Sequence, residues 1–164
     1  MMALNEALLA EWDQEMVGTR KVLERIPDAQ HGWAPHAKSM TLGKLGSHVA
    51  TMGMWAEVTC GDEVFDFATA KMPAAPATTA ALVAQHDEWS ARGRAAIAAM
   101  SDEAMLRSWT LKNGTHVMFT RPRPVVLRSF VMNHLIHHRA QLTVYLRLLD
   151  IPVPGLYGPT ADER

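Results

Sequence analysis

The stretch Pro122–Asp150, PRPVVLRSFVMNHLIHHRAQLTVYLRLLD, decides how the rest of the chain is read. Apolar residues recur there at Leu127, Phe130 and Val131, then at Leu142, Tyr145 and Leu149, which is the spacing of one helix face. His134 and His138 fall in the gap between the halves of that stripe, so the spacing predicts two imidazoles facing a helical core. An unsatisfied buried polar group costs on the order of 1–3 kcal/mol, so such rings must hydrogen-bond or bind something. At i and i+4 their nitrogens sit about one turn apart on one face and can converge on one metal ion.

Upstream, Pro122 and Pro124 suit the start of this helix. Before them, between Leu106 and Arg121, the period changes to two, with Trp109 and Leu111 on one side of Asn113-Gly114 and Val117 and Phe119 on the other, which predicts a small β-hairpin. A first helix is expected from Leu4 to Ile26, with Leu8, Leu9, Trp12, Met16, Thr19 and Leu23 on its apolar face and Pro27 at its end. The segment from Pro27 to Met40 reads as a loop whose Trp33 either packs over the end of the helices or meets a substrate.

Thr41 can cap a second helix running towards Gly61, with Leu45, His48, Val49, Met52 and Trp55 inward. The long connection from Asp62 to Ala77, with Pro73 and Pro76, permits a crossover that leaves helices two and three parallel. A third helix is expected from Thr78 or Thr79 to about Met100, with Leu82, His86, Trp89, Gly93, Ile97 and Met100 on one face. After Asp150 the tail should be extended, with Ala161 to Arg164 mobile. The expected fold class is all-α: one domain over residues 1–164, four helices, and a hairpin between the third and fourth.

Charge bounds the function. Sixteen Lys and Arg against 17 Asp and Glu give no electrostatic grip on nucleic acid or an anionic membrane, so small-molecule partners are expected. The single Cys60 cannot form an internal disulfide, the N-terminal residues lack the basic start of a signal peptide, and no run of about 18 apolar residues occurs. A cytoplasmic protein is the expectation.

Three segments carry a family resemblance: Leu23-Glu24-Arg25-Ile26-Pro27; Trp33 to Leu42 leading into Leu45-Gly46-Ser47-His48; and His134 through His138-Arg139-Ala140-Gln141. Together they resemble the DinB and YfiT-like superfamily over nearly the whole chain. The late motif is similar to His-x-x-x-His-Arg-Gly-Gln, with Ala140 at the glycine position. The resemblance implies a four-helix bundle of up-down-down-up order, a homodimer, and a divalent metal held by one histidine of helix two and two of helix four. Carried onto this sequence, the ligands are His48, His134 and His138. Several members of that superfamily use a low-molecular-weight thiol such as mycothiol or bacillithiol.

Three neutral imidazoles match the ligand set of a catalytic zinc, and nickel would accept them too. Gln141 lies on the ligand face and can orient a ligand ring; Arg139 can form a structural ion pair or meet an anionic substrate; His86 is a core histidine or faces the substrate. His137 should lie at a helix boundary or the surface. No carboxylate stands beside the paired histidines as in His-Glu-x-x-His, which argues against a zincin-type protease, and Cys60 reads as a packed thiol. Three functions stay open: a thiol-dependent S-transferase or isomerase, a metal-dependent hydrolase, and a non-enzymatic, stress-related metal-binding protein.

Overall fold

A computed structural model describes residues 3–163. The described residues are mostly helical with one small sheet. Helix α1 (Leu4–Leu23) is followed by a 3-10 turn (Asp28–Gln30), α2 (Leu42–Ala50), α3 (Met52–Gly61), strand β1 (Val64–Asp66), α4 (Thr79–Ala98), the short α5 (Asp102–Leu106), strands β2 (Ser108–Asn113) and β3 (His116–Pro122), one turn of helix α6 (Arg123–Val125), a π-helical segment (Val126–Met132) and α7 (Asn133–Leu148). Helix α4 packs on α1, α2 and α3, while α7 packs on α1 and α2. Trp12, Val22, Leu42, Leu45, Leu82, Ile97, Leu127 and Leu142 meet in the core with no exposure.

The caps predicted from Thr41 and Thr78 form: their hydroxyls accept from the backbone N–H of Lys44 at 3.3 Å and of Ala81 at 3.2 Å. The expected second helix is broken. Thr51, at φ −91° and ψ 1°, separates α2 from α3, and its hydroxyl donates to the carbonyls of Ser47 at 3.1 Å and His48 at 3.0 Å. Such back-bonding bends helices, and here it holds the backbone on which His48 is mounted.

The hairpin is joined by a third strand, which lies inside the segment expected to be a plain connection. β1 pairs parallel with β2, and β2 pairs antiparallel with β3. The Asp66 carboxylate ties the hairpin turn to β1 by accepting from Gly114 N–H at 2.8 Å, where Gly114 holds φ +60°. The inward face of β2 is made by Trp109 and Leu111, both buried. Helix α5 was also unexpected; Ser101 caps it, accepting from Ala104 N–H at 3.2 Å.

Helix four departs most from expectation, because Val126–Met132 is π-helical and not part of a continuous α-helix. A π segment rotates the residues after it relative to a regular helix. The fully buried stripe of α7 is accordingly Leu135, Arg139, Leu142 and Leu146, while His134 and His138 stand on its half-buried flank. The expectation of two core-facing histidines is therefore corrected: the polar residue at the centre of the stripe is Arg139. The tail is also less loose than expected, since Asp162 pairs with Arg147 at 2.5 Å and accepts from Val153 N–H at 2.9 Å, and Glu163 accepts from Gly155 N–H at 2.8 Å. Of the expected mobile end, Arg164 lies outside the described residues.

Close approach of α3 and α4 depends on Gly53. A Cβ there would lie 2.4 Å from the Trp89 carbonyl carbon and oxygen, backbone atoms that cannot swing away. Gly53→Ala is expected to cost at least about 2 kcal/mol through overpacking, read by urea unfolding; a change within about 0.5 kcal/mol would show that the helices separate freely.

Candidate metal centre

His48 from α2 and His134 and His138 from α7 converge, each offering one ligand nitrogen within 4.8 Å of the others. The Nε2 atoms of His48 and His134 are 3.1 Å apart. Nitrogens bound tetrahedrally to one ion at about 2.0–2.1 Å would stand roughly 3.3 Å apart, so this pair is already near ligand spacing. The ring centroids lie 4.5 to 4.9 Å from one another.

Burial and mutual proximity keep these rings neutral, which is the form that binds a metal. Burial, then the neighbouring His138 and His134, pushes His48 down to about 4. Burial also lowers His134 and His138, with His137 adding to both. His134 Nδ1 is buried without a hydrogen-bond partner. The Phe130 carbonyl favours the charged form of that ring without offsetting its burial. A ring whose Nε2 faces another imidazole nitrogen at 3.1 Å, beside a third ring, fits a metal ligand better than a satisfied core histidine.

Gln141 sits where the sequence placed it. Its Oε1 accepts from His138 Nδ1–H at 2.7 Å, which leaves Nε2 as the free nitrogen, and its Nε2–H donates to His137 Nε2 at 3.2 Å. The amide thus fixes both the tautomer and the orientation of His138. His137 is exposed.

Two candidates lie elsewhere. His86 is buried, donating from Nε2 to the Met16 carbonyl of α1 at 3.1 Å, with burial lowering its pKa. It is a satisfied core histidine and not part of the three-histidine group, because its face of α4 packs on α1. Arg139 points away from the group into a buried ion pair: Nη2 lies 2.6 Å from Glu15 Oε2, and Nη1 donates to the Glu15 carbonyl at 3.0 Å and Thr19 Oγ1 at 3.2 Å. Tyr157 closes this pair from the tail, its hydroxyl within 2.9 Å of both Glu15 oxygens. Cys60 is a buried thiol, pushed up to about 11 by that burial.

The sequence reading missed the aromatic neighbours. Phe130 lies tilted against His134 at 5.7 Å, and Trp33 meets Tyr145 edge-on at 5.6 Å. Phe130, four residues before His134, reads in the sequence only as part of the apolar stripe.

A half-buried group of three histidines on a mainly helical frame defines a class: a helical protein with a three-histidine group that could hold a metal ion. The chain belongs to the DinB family, whose sequence model matches residues 1–164. It is 28% identical over 159 residues to the uncharacterized protein YrdA of Bacillus subtilis (strain 168), covering 94% of this chain and 89% of that protein. Solved structures share the fold, two DinB-like proteins among them. One is a DinB-like protein from Bacillus cereus ATCC 10987, with TM-score 0.71 and 22% identity over 93% of this chain and 97% of that one. The other is the DinB-like protein YjoA from Bacillus subtilis, with TM-score 0.68 and 16% identity over 96% of this chain and 99% of that one.

Proposed function

We propose that His48, His134 and His138 hold a divalent metal, zinc or nickel, in an enzyme that joins a low-molecular-weight thiol to an electrophilic small molecule, as an S-transferase or isomerase. The observation that carries this reading is the convergence of three ligand nitrogens within 4.8 Å on a half-buried flank. A divalent ion held by three neutral ligands keeps its full charge and supplies Lewis acidity, lowering the pKa of a thiol or of water beside it.

What the chain itself contributes is arrangement. His48 is set by the Thr51 break, His138 by Gln141, and His134 by the π segment that precedes it. Among the described residues no carboxylate joins the histidine group. A thiol, with a pKa near 8.5, starts far closer to its nucleophilic form than water and needs a smaller shift from the ion to reach it; this favours the thiol reading over the hydrolytic one. In the transferase, the thiolate forms the new S–C bond and the leaving group departs with its electron pair.

The test is a titration of cobalt-substituted protein. A small thiol is expected to produce a sulfur-to-metal charge-transfer band near neutral pH, and an alcohol of the same shape none. A spectrum unmoved by thiols but responsive to hydroxide or carboxylates would overturn the thiol reading in favour of hydrolysis.

The up-down-down-up order, the homodimer and the cytoplasmic setting complete the proposal. Family membership supports the first two, and a lone buried thiol suits a reducing compartment. No helix among the described residues is long and apolar enough to cross a membrane. Light scattering is expected to give twice the chain mass; a single-chain mass at high concentration would remove the dimer.

A further inference from the structure

The histidine group does not stand alone: an aromatic face leads away from it. Phe130 lies 5.7 Å from His134, 5.2 Å from Trp55 and 5.5 Å from Phe119. Trp55 in turn meets Phe65 at 4.8 Å and Phe67 at 5.7 Å. Trp55 is buried as a floor, whereas Phe65, Phe119 and Phe130 are only half-buried and Phe67 is 37% exposed. Half-buried Phe130 lies beside a candidate ligand ring with half-buried Phe119 against it, and half-buried Phe65 and exposed Phe67 flank the same buried Trp55; partly open rings this near the site offer an apolar seat for a ligand bound there.

We infer that this face seats an aromatic body of the ligand whose polar head is bound at the three histidines, with Phe130 and Phe67 selecting for it. The inference rests on the metal site proposed above and specifies its ligand class: a small molecule with a planar aromatic group beside its metal-binding head. The rings meet one another edge-on or tilted, so faces and edges are both presented, and an aromatic guest can find either offset or T-shaped contact. Aliphatic guests of equal area lose that second contribution.

Zinc-loaded protein, titrated by calorimetry with cyclohexanecarbohydroxamate and benzohydroxamate, compares one head carrying an aliphatic and an aromatic ring of similar area. Benzohydroxamate is expected to bind about three- to tenfold tighter. The preference should shrink to about twofold or less in Phe130→Leu and in Phe67→Ala, measured on variants loaded with the same zinc content as the wild type. Equal affinities in the wild type, or a preference that survives both substitutions, would overturn the inference. A second readout needs no metal: phenol added to metal-free protein should shift the Trp55 and Phe130 ring resonances, and Phe130→Leu should abolish the effect at Trp55. Shifts with phenol but no zinc binding would sink the metal reading while supporting the aromatic seat; zinc binding without shifts or preference would do the reverse.

Discussion

Glu15→Ala is expected to lower the unfolding free energy by about 3–5 kcal/mol, among the largest effects of any single substitution in this chain. Glu15 and Arg139 are 4% and 2% exposed, so removing the carboxylate leaves a guanidinium charge inside the protein with only neutral acceptors. Arg139 cannot shed its proton to escape that cost. Its remaining partners, the Glu15 carbonyl, Thr19 Oγ1 and the Tyr157 hydroxyl, satisfy its N–H groups but not its charge. Urea unfolding measures the loss. A double substitution, Glu15→Leu with Arg139→Met, should be less damaged than either Glu15→Ala or Arg139→Ala alone, because no charge is left stranded. A loss below about 1 kcal/mol in Glu15→Ala would show that the pair is dispensable.

The second large effect concerns the metal. Replacing Gln141 with leucine removes the acceptor that orients His138 and should weaken zinc binding about 10- to 100-fold, the range seen for partners that orient a ligand. His134→Ala removes a ligand outright and should weaken it further still. Both positions are half-buried on the flank of α7, so circular dichroism should show the helices intact. Competition against a chromophoric chelator reads the affinities. Unchanged affinity in His134→Ala would exclude the proposed ligand set.

Apolar periodicity located the first and third expected helices. Helix α1 starts at Leu4 as expected and ends at Leu23, three residues short of Ile26, and α4 spans Thr79 to Ala98 behind the expected Thr78 cap. Three-residue β1 escaped because Val64-Phe65-Asp66 is too short to show a period of two, and its pairing with β2 is set by contacts far along the chain. The π segment escaped because hydrophobic spacing is read on a regular helix, while Val126–Met132 winds differently; that moved the histidines from the centre of the stripe to its flank. Arg139 was legible as one side of an ion pair, yet its partner Glu15 lies 124 residues away on another helix, a pairing that local spacing does not report. His86 was open as a core histidine or one that faces the substrate; it bonds to α1 while His48 turns to α7, a choice that spacing along one helix does not encode. Gln141 was found because i+3 spacing on one helix is local information.

The most direct test of the metal centre is X-ray absorption on purified, zinc-loaded wild-type protein, together with metal analysis. About one zinc per chain is expected, with a first shell of nitrogen and oxygen at about 2.0–2.1 Å, multiple-scattering features of about three imidazoles, and no sulfur near 2.3 Å. Less than about a tenth of an equivalent of zinc under conditions that load a three-imidazole site, or a shell with sulfur or at most one imidazole, would contradict the assignment of His48, His134 and His138.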